Sequence, residues 1–325
     1  MTEDRGPVLE VEDVVRTFGR GPDAVRALDG VSFQVGAGEL VGLLGVNGAG
    51  KTTLLKIVST LLLPTSGRIR VSGVDVVTST RRARELFTVV FGGDRGLYGR
   101  LSARSNARYF GTLSGVPRRR LDAAVDDALA RVGLASVADR QVHTFSKGMH
   151  QRLHLAIGLV SRPGLFLLDE PTVGLDPLEA ERLRDTVAEI RDQGATVVLT
   201  SHYLKDIERL ASRVVLLQGG RVSHDVPLQQ LLASAPAARV TLMGLGPAPD
   251  LRTAPVALGG QLVEARAVET VEGGRWRVVL DVHEWTRESV GRLMDVWPDR
   301  DVTDVSIAHV TLEDVFTQIA EGSRA

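Results

Sequence analysis

Gly45-Val46-Asn47-Gly48-Ala49-Gly50-Lys51-Thr52 has the spacing G-x-x-x-x-G-K-[ST]. Glycines in such a run let successive backbone N–H groups converge on an anion with no side chain in the way. Lys51 carries a charge suited to the β and γ phosphates of a nucleotide, and the Thr52 hydroxyl suits one coordination position on Mg²⁺. Thr53 follows in the first helical turn. A ligand-free glycine turn between a strand and a helix would have the same composition. The context favours phosphate: the aliphatic run Leu40 to Leu44 precedes the loop and a helical pattern follows it.

Two further strand ends carry reactive side chains. Leu165-Phe166-Leu167-Leu168 runs into Asp169 and Glu170, as when a buried strand delivers carboxylates to a crevice at its carboxyl end. Asp169 suits Mg²⁺, directly or through a water, and Glu170 suits an attacking water as its base. An acidic cap on a strand end is the plainer reading. Thr200-Ser201-His202 closes another strand, where His202 could donate a hydrogen bond towards a γ-phosphate. Among seven histidines no H-x-x-x-H pair encloses a glutamate, so a metalloprotease has no support. A third polar cluster, Ser146-Lys147-Gly148, opens an apolar helix. The exposed N–H groups there would welcome an anion, or Ser146 could simply cap its own helix.

The elements that must position these groups follow from periodicity. Strands are expected over Val8 to Phe18, Ala27 to Val35, Leu40 to Leu44, Ile69 to Val71, Leu165 to Leu168, Thr196 to Thr200 and Val214 to Leu217. Helices are expected over Lys51 to Leu62, stopped by Pro64 and Gly67, and over Glu179 to Gln193. Buried strands alternating with helices of this size indicate an α/β sheet covered on both faces. Ser102 to Val142 has helical periodicity and no central strand, so it reads as a helical insertion.

The expected organisation is an α/β nucleotide-binding domain over 1–232, with a helical subdomain at about 95–162. A linker rich in proline and small residues covers 233–255, and a small α+β domain covers 256–325. In that last part strands are expected at Arg275 to Val282 and Val302 to Ile307, with helices at Glu284 to Met294 and from Thr311. Thr311 and Asp314 have capping-box spacing, although Glu313 could equally favour the first turn.

With 39 basic and 40 acidic side chains the net charge of −1 argues against a general nucleic-acid binder. Absence of cysteine excludes disulfides and thiolate metal sites. The acidic start lacks the apolar stretch of a secretory signal, and no window is long and apolar enough for a membrane span. The expectation is a cytoplasmic protein that touches a membrane protein.

GVNGAGKTT, LFLLDEP and TSHYL, in that order, with SKGMHQ before LFLLDEP, resemble the ATP-binding subunit of an ABC transporter. The resemblance implies the P-loop nucleoside triphosphate hydrolase fold of ABC type, with ATP and Mg²⁺ bound by Gly45, Asn47, Gly48, Ala49, Gly50, Lys51, Thr52, Thr53 and Asp169. It makes Glu170, His202 and Lys51 catalytic. It places Ser146 and Gly148 of one copy against the γ-phosphate held by another, with the Gly174-Leu175-Asp176 loop communicating across the pair. Phe18 resembles the aromatic that stacks on adenine, or it is core. The implied partners are a second cassette, its own copy or a homologue, and a separate permease reached through the helical insertion. There Arg104, Arg108, Tyr109 and Phe110 are surface candidates, unless Tyr109 and Phe110 fill the insertion's own core.

The family's usual glutamine is missing from Thr88 to Arg95, where Asp94 through a water, or the backbone, would have to serve. His309 to Phe316 resembles the tail of drug- and polyketide-exporting ATPases that power ABC-2 permeases, with Val310 in place of proline. That tail favours an exporter, peripheral on the cytoplasmic membrane face, over an importer subunit. A soluble ABC ATPase acting on ribosomes or DNA would show a second cassette or a coiled-coil insertion, and neither is present.

Overall fold

The computed structural model describes residues 6–91, 96–233, 236, 238–246, 262–271, 275–283, 288, 289, 291, 292 and 301–316. Two compact units divide the chain, Met1–Leu228 and Gln229–Ala325.

The first unit begins with strands β1 (Leu9–Phe18) and β2 (Val25–Val35), then β3 (Leu40–Leu44) and helix α1 (Lys51–Val58). Next come β4 (Ser66–Val71), β5 (Val74–Asp75), the short α2 (Thr80–Ala83) and β6 (Phe87–Phe91). Helices α3 (Ala103–Leu113), α4 (Arg118–Arg131) and α5 (Lys147–Val160) follow. The unit continues with β7 (Leu165–Asp169), α6 (Pro177–Asp192), β8 (Thr196–Thr200), α7 (Leu204–Leu210), β9 (Arg213–Gln218) and β10 (Arg221–Pro227). Helix α8 (Leu228–Ala233) lies at the junction.

One sheet, in the order β2-β1-β4-β5, is antiparallel. The other has the order β10-β9-β3-β8-β7-β6 and is parallel except for β10. Its central strands β3 and β8 are buried at every residue, as sheets covered on both faces require. Leu54, Leu55, Ile57 and Val58 of α1 join Val11, Val31 and Ile69 from the first sheet and Leu43, Leu165 and Val198 from the second in one aliphatic core. That packing holds the N-terminus of α1 against the carboxyl end of β3. Sequence periodicity extends α1 to Leu62, but the helix stops at Val58, and Thr60 takes φ 62° in the turn that follows.

The insertion is a three-helix layer. Ser102 caps α3 through a hydrogen bond from Ser105 N–H. A methyl at Gly111 would stand 2.7 Å from both Leu121 and Val160, so glycine lets α3 approach α4 and α5 closely. Asn106 is fully buried and ties α3 to the preceding loop, accepting from Tyr98 N–H at 2.8 Å and donating to Tyr98 O at 3.0 Å.

In the second unit, β11 (Ala238–Leu245), β12 (Leu262–Val271), β13 (Arg275–Val282) and β14 (Asp301–His309) form an antiparallel sheet in the order β12-β13-β11-β14. This corrects the expected linker over 233–255, because β11 lies inside it and pairs on both sides. Ala238, Val240 and Leu242 alternate into the core with Trp276, Val278 and Leu280. Prolines at 236, 247 and 249 bracket that alternation and obscured it. Residues 312–316 are helical, and Thr311 and Asp314 cap each other: Thr311 N–H donates to the carboxylate at 3.0 Å and Asp314 N–H to the threonine hydroxyl at 3.4 Å. Most of the helix expected from Glu284 to Met294 lies outside the described residues.

Candidate functional site

A cleft of about 350 Å³ opens at the carboxyl ends of β3 and β7. Asn47 to Thr53, Ala27, Glu170 and His202 line it. The loop admits no substitute at two glycines. A methyl at Gly45 would lie 2.5 Å from the Leu217 carbonyl oxygen, and one at Gly50, where φ is 107°, would lie 2.6 Å from the Ala27 oxygen. No side chain caps α1, so its first-turn N–H groups face the cleft without an internal acceptor. Lys51 is buried beneath them and donates to Gly45 O at 2.6 Å and Val46 O at 3.3 Å. Burial lowers the affinity of its amine for the proton, while Glu170 and then Asp169 oppose that fall.

Glu170 adopts a left-handed backbone, φ 53°, which turns its side chain out of the strand direction of β7. Its N–H donates to both the carbonyl and the hydroxyl of Thr200 at 3.1 Å. The same hydroxyl donates to Asp169 Oδ1 at 2.7 Å. Across the cleft mouth His202 Nε2 stands 2.6 Å from Glu170 Oε1. A carboxylate paired with an imidazole beside a phosphate-binding loop can align a water and take its proton.

Ser146, Gly148, Asp176 and Phe18 do not line this cleft. Ser146 caps α5, its hydroxyl accepting from Met149 N–H at 3.2 Å. Gly148 is buried against α6, where a methyl would meet the Glu179 side chain at 2.4 Å. Glu179 in turn pairs with Arg152 at 3.2 Å. Asp176 caps α6 by accepting from Leu178 and Glu179 N–H, both at 3.0 Å. The start of α5 and the Gly174–Asp176 loop therefore form a second surface of the same chain. Phe18 ends β1 with 39% of its surface exposed, which removes the core alternative, and Arg16 packs over its ring at 4.5 Å. Gly92 to Asp94, the stretch lacking the usual glutamine, lies outside the described residues.

Thr200 and Ala27 are the functional neighbours that motif reading missed. Thr200 ends a strand one residue before Ser201-His202, so the repeated strand-end pattern was its signal. Ala27 enters only because β2 crosses beneath Gly50, which no local pattern records.

The donor set fits a hard divalent cation. Thr52, in the first turn of α1, lines the cleft, and Asp169 Oδ2 has no hydrogen-bond partner among the described residues. Mg²⁺ takes few protein ligands and fills its shell with phosphate oxygens and water.

The family model described as ABC transporter matches residues 28–173. The ABC transporter ATP-binding protein NatA of Bacillus subtilis is 35% identical over 227 residues, covering 70% of this chain and 92% of NatA. This chain belongs to the ABC transporter family as an ATP-binding cassette. The cassette is also 39% identical to the daunorubicin resistance ATP-binding protein DrrA3 of Streptomyces coeruleorubidus, over 67% of its own length and 69% of that protein's. Its fold matches a solved ATP-binding subunit of an ABC transporter with a TM-score of 0.62 at 29% identity, covering 70% of this chain and 92% of that one. The protein cbiO1 of Clostridium perfringens, part of the ABC transporter complex cbiONQ, matches with a TM-score of 0.63 at 28% identity, over 70% and 91% of the two chains. The cassette binds and hydrolyses ATP as the ATPase subunit coupled to a membrane permease. No helix among its described residues is long and apolar enough to cross a membrane.

Proposed function

We propose that this cassette powers export through a separate ABC-2 type permease, with a drug, antibiotic or lipid-like molecule as cargo. The names of several relatives support the export reading: daunorubicin resistance in Streptomyces coeruleorubidus, doxorubicin resistance in Mycobacterium tuberculosis and linearmycin resistance in Bacillus subtilis. The cassette would sit on the cytoplasmic face of the membrane, held there by the permease.

In this reading two cassettes, identical or homologous, close head to tail over two ATP molecules. The observation that carries it is the separation of polar groups within one chain: Lys51, Glu170 and His202 share the cleft, while Ser146 and Asp176 lie outside it at the starts of α5 and α6. A two-fold pair completes both sites at once. Lys51 holds the phosphates and offsets the charge that develops on the transferred phosphoryl group. Glu170 aligns the attacking water and takes its proton, and His202 holds Glu170 and donates towards the γ-phosphate. Mg²⁺, held by Thr52 and Asp169, would neutralise phosphate charge. Phe18 packs against adenine from the end of β1.

Glu170→Gln tests the base. It is expected to abolish turnover while retaining ATP, with the cassette accumulating as a dimer on size exclusion. Wild-type hydrolysis by that variant, in complex with its permease, would end the assignment. Purifying the cassette from membranes identifies the permease, and ATP-driven uptake of a fluorescent anthracycline into inverted vesicles tests export. ATP-dependent depletion of cargo from those vesicles would indicate import.

A further inference from the structure

Beneath the Glu170–His202 pair lies a buried polar cluster that the roles above leave unused. Asp206, in the first turn of α7, has none of its surface exposed. One carboxylate oxygen accepts from Arg184 Nε of α6 at 2.7 Å. The other accepts from the hydroxyls of Thr172 and Ser201, the latter at 2.6 Å. Thr172 and Ser201 are themselves 3% and 4% exposed. Thr172 lies two residues after Glu170, and Ser201 immediately precedes His202. The Ser201 hydroxyl also accepts from Tyr203 N–H at 3.0 Å, so it clasps the backbone on both sides of His202.

We infer that Asp206 is a positioning residue for ATP hydrolysis: through Thr172 and Ser201 it fixes the two turns that carry Glu170 and His202. The geometry gives the reason. Glu170 sits in a left-handed conformation that a glutamate adopts only when its surroundings impose it. Thr200 constrains that turn from the strand side, through the Glu170 N–H. Asp206 constrains it from the other side, through Thr172. With both hydroxyls donating to one carboxylate oxygen, movement of either turn breaks a buried hydrogen bond, so the two turns hold one spacing. Arg184 holds the opposite carboxylate oxygen through a charge-assisted hydrogen bond, which fixes the carboxylate's orientation towards the two hydroxyls, and Glu181 shares that arginine at 2.5 Å. None of Asp206, Arg184, Thr172 and Ser201 lines the cleft itself.

The inference rests on the roles given to Glu170 and His202, and its test separates the two failures. Removing Asp206 itself would strand Arg184 in the interior, so the informative variants are at the hydroxyls. Thr172→Val keeps the shape and the Asp206–Arg184 pair while deleting one tie; Thr172→Ser keeps the tie. Ser201→Ala deletes the other. Steady-state ATPase is measured on the full chain purified with its permease, together with thermal midpoints. Thr172→Val and Ser201→Ala are each expected to lower kcat about tenfold with KM for ATP within about twofold, because misplacing a catalytic group by a fraction of an ångström slows chemistry without touching ground-state binding. Thr172→Ser is expected to restore kcat to within about twofold of wild type. The inference is overturned if Thr172→Val keeps wild-type kcat, if Ser201→Ala does, or if Thr172→Ser is as slow as Thr172→Val. Wild-type turnover in Glu170→Gln, measured in parallel, would instead overturn the base assignment beneath it.

Discussion

Single atoms decide whether the phosphate loop works. Gly50 has a left-handed backbone and a carbonyl oxygen 2.6 Å from where a methyl would stand. Gly50→Ala is therefore expected to cost about 1–3 kcal/mol of stability from backbone strain and to distort the N–H cradle. Gly48 shares the left-handed conformation, at φ 84°, but a methyl there meets nothing within 4 Å. Gly48→Ala should thus be milder, about 1 kcal/mol. Thermal melts with and without a fluorescent ATP analogue compare the pair, and equal damage from both would show that crowding at Ala27 is irrelevant. Lys51→Ala removes a charged donor to the phosphates, a loss of about 2 kcal/mol, which is about thirtyfold in the dissociation constant for ATP. Equilibrium titration with the same analogue checks that value. Lys51, Asp169, Glu170 and His202 were all legible as residue types at strand ends and in a loop. Thr200, which ties the Asp169 carboxylate to the Glu170 backbone N–H, was not, because its role is a distance between two strands.

Elements carry predictions of a different kind. Ser146 caps α5 within its own chain, so Ser146→Ala should lower stability by about 1 kcal/mol. If Ser146 also meets a partner's γ-phosphate, ATP-dependent dimerisation should weaken by more than that stability loss explains, with nucleotide binding to the monomer nearly unchanged. Equilibrium sedimentation of Glu170→Gln cassettes with and without Ser146→Ala separates the two roles. In the second unit, burial raises the Asp314 carboxyl, but hydrogen bonds from Thr311 and the Arg239 guanidinium outweigh it and leave the group below its ordinary value. A depressed folded value means stability that is full above the unfolded value of about 4 and is lost as pH falls through the folded one. Asp314→Asn should therefore lower the melting temperature of the second unit at pH 7, and the difference should vanish near pH 2. A difference that persisted in acid would assign the effect to packing. The capping-box spacing was visible in the sequence, whereas the Arg239 partner, 75 residues earlier in the chain, was not.

At the scale of the molecule, the chain carries two cores. Aliphatic side chains from two sheets surround α1 in the first unit, and Trp276, Val240 and Leu312 belong to the second. Separate cores favour separate unfolding transitions. Calorimetry on the full chain is expected to resolve two, and a non-hydrolysable ATP analogue should raise the transition of the first unit, by about 2.7 kcal/mol at a hundredfold excess over its dissociation constant. A second transition that rises equally with ligand would show that the units unfold together. The stretch expected as a linker was misread in the sequence because β11 is bracketed by prolines and meaningful only once paired with β13 and β14.

The sequence by itself determined the nucleotide chemistry: a glycine loop, a lysine, two carboxylates and a histidine in a fixed order, each placed by a strand whose buried, continuous apolar run announces its end. Local pattern suffices there because the loop's backbone geometry and the helix start are encoded within eight residues. The tertiary structure alone decided which strands lie side by side. Only that adjacency brings Thr200 to Asp169, His202 to Glu170 and Asp206 beneath both. Hydrogen bonds between residues some 30 positions apart depend on sheet order, and sheet order is settled by packing over the whole core rather than by any segment of the chain.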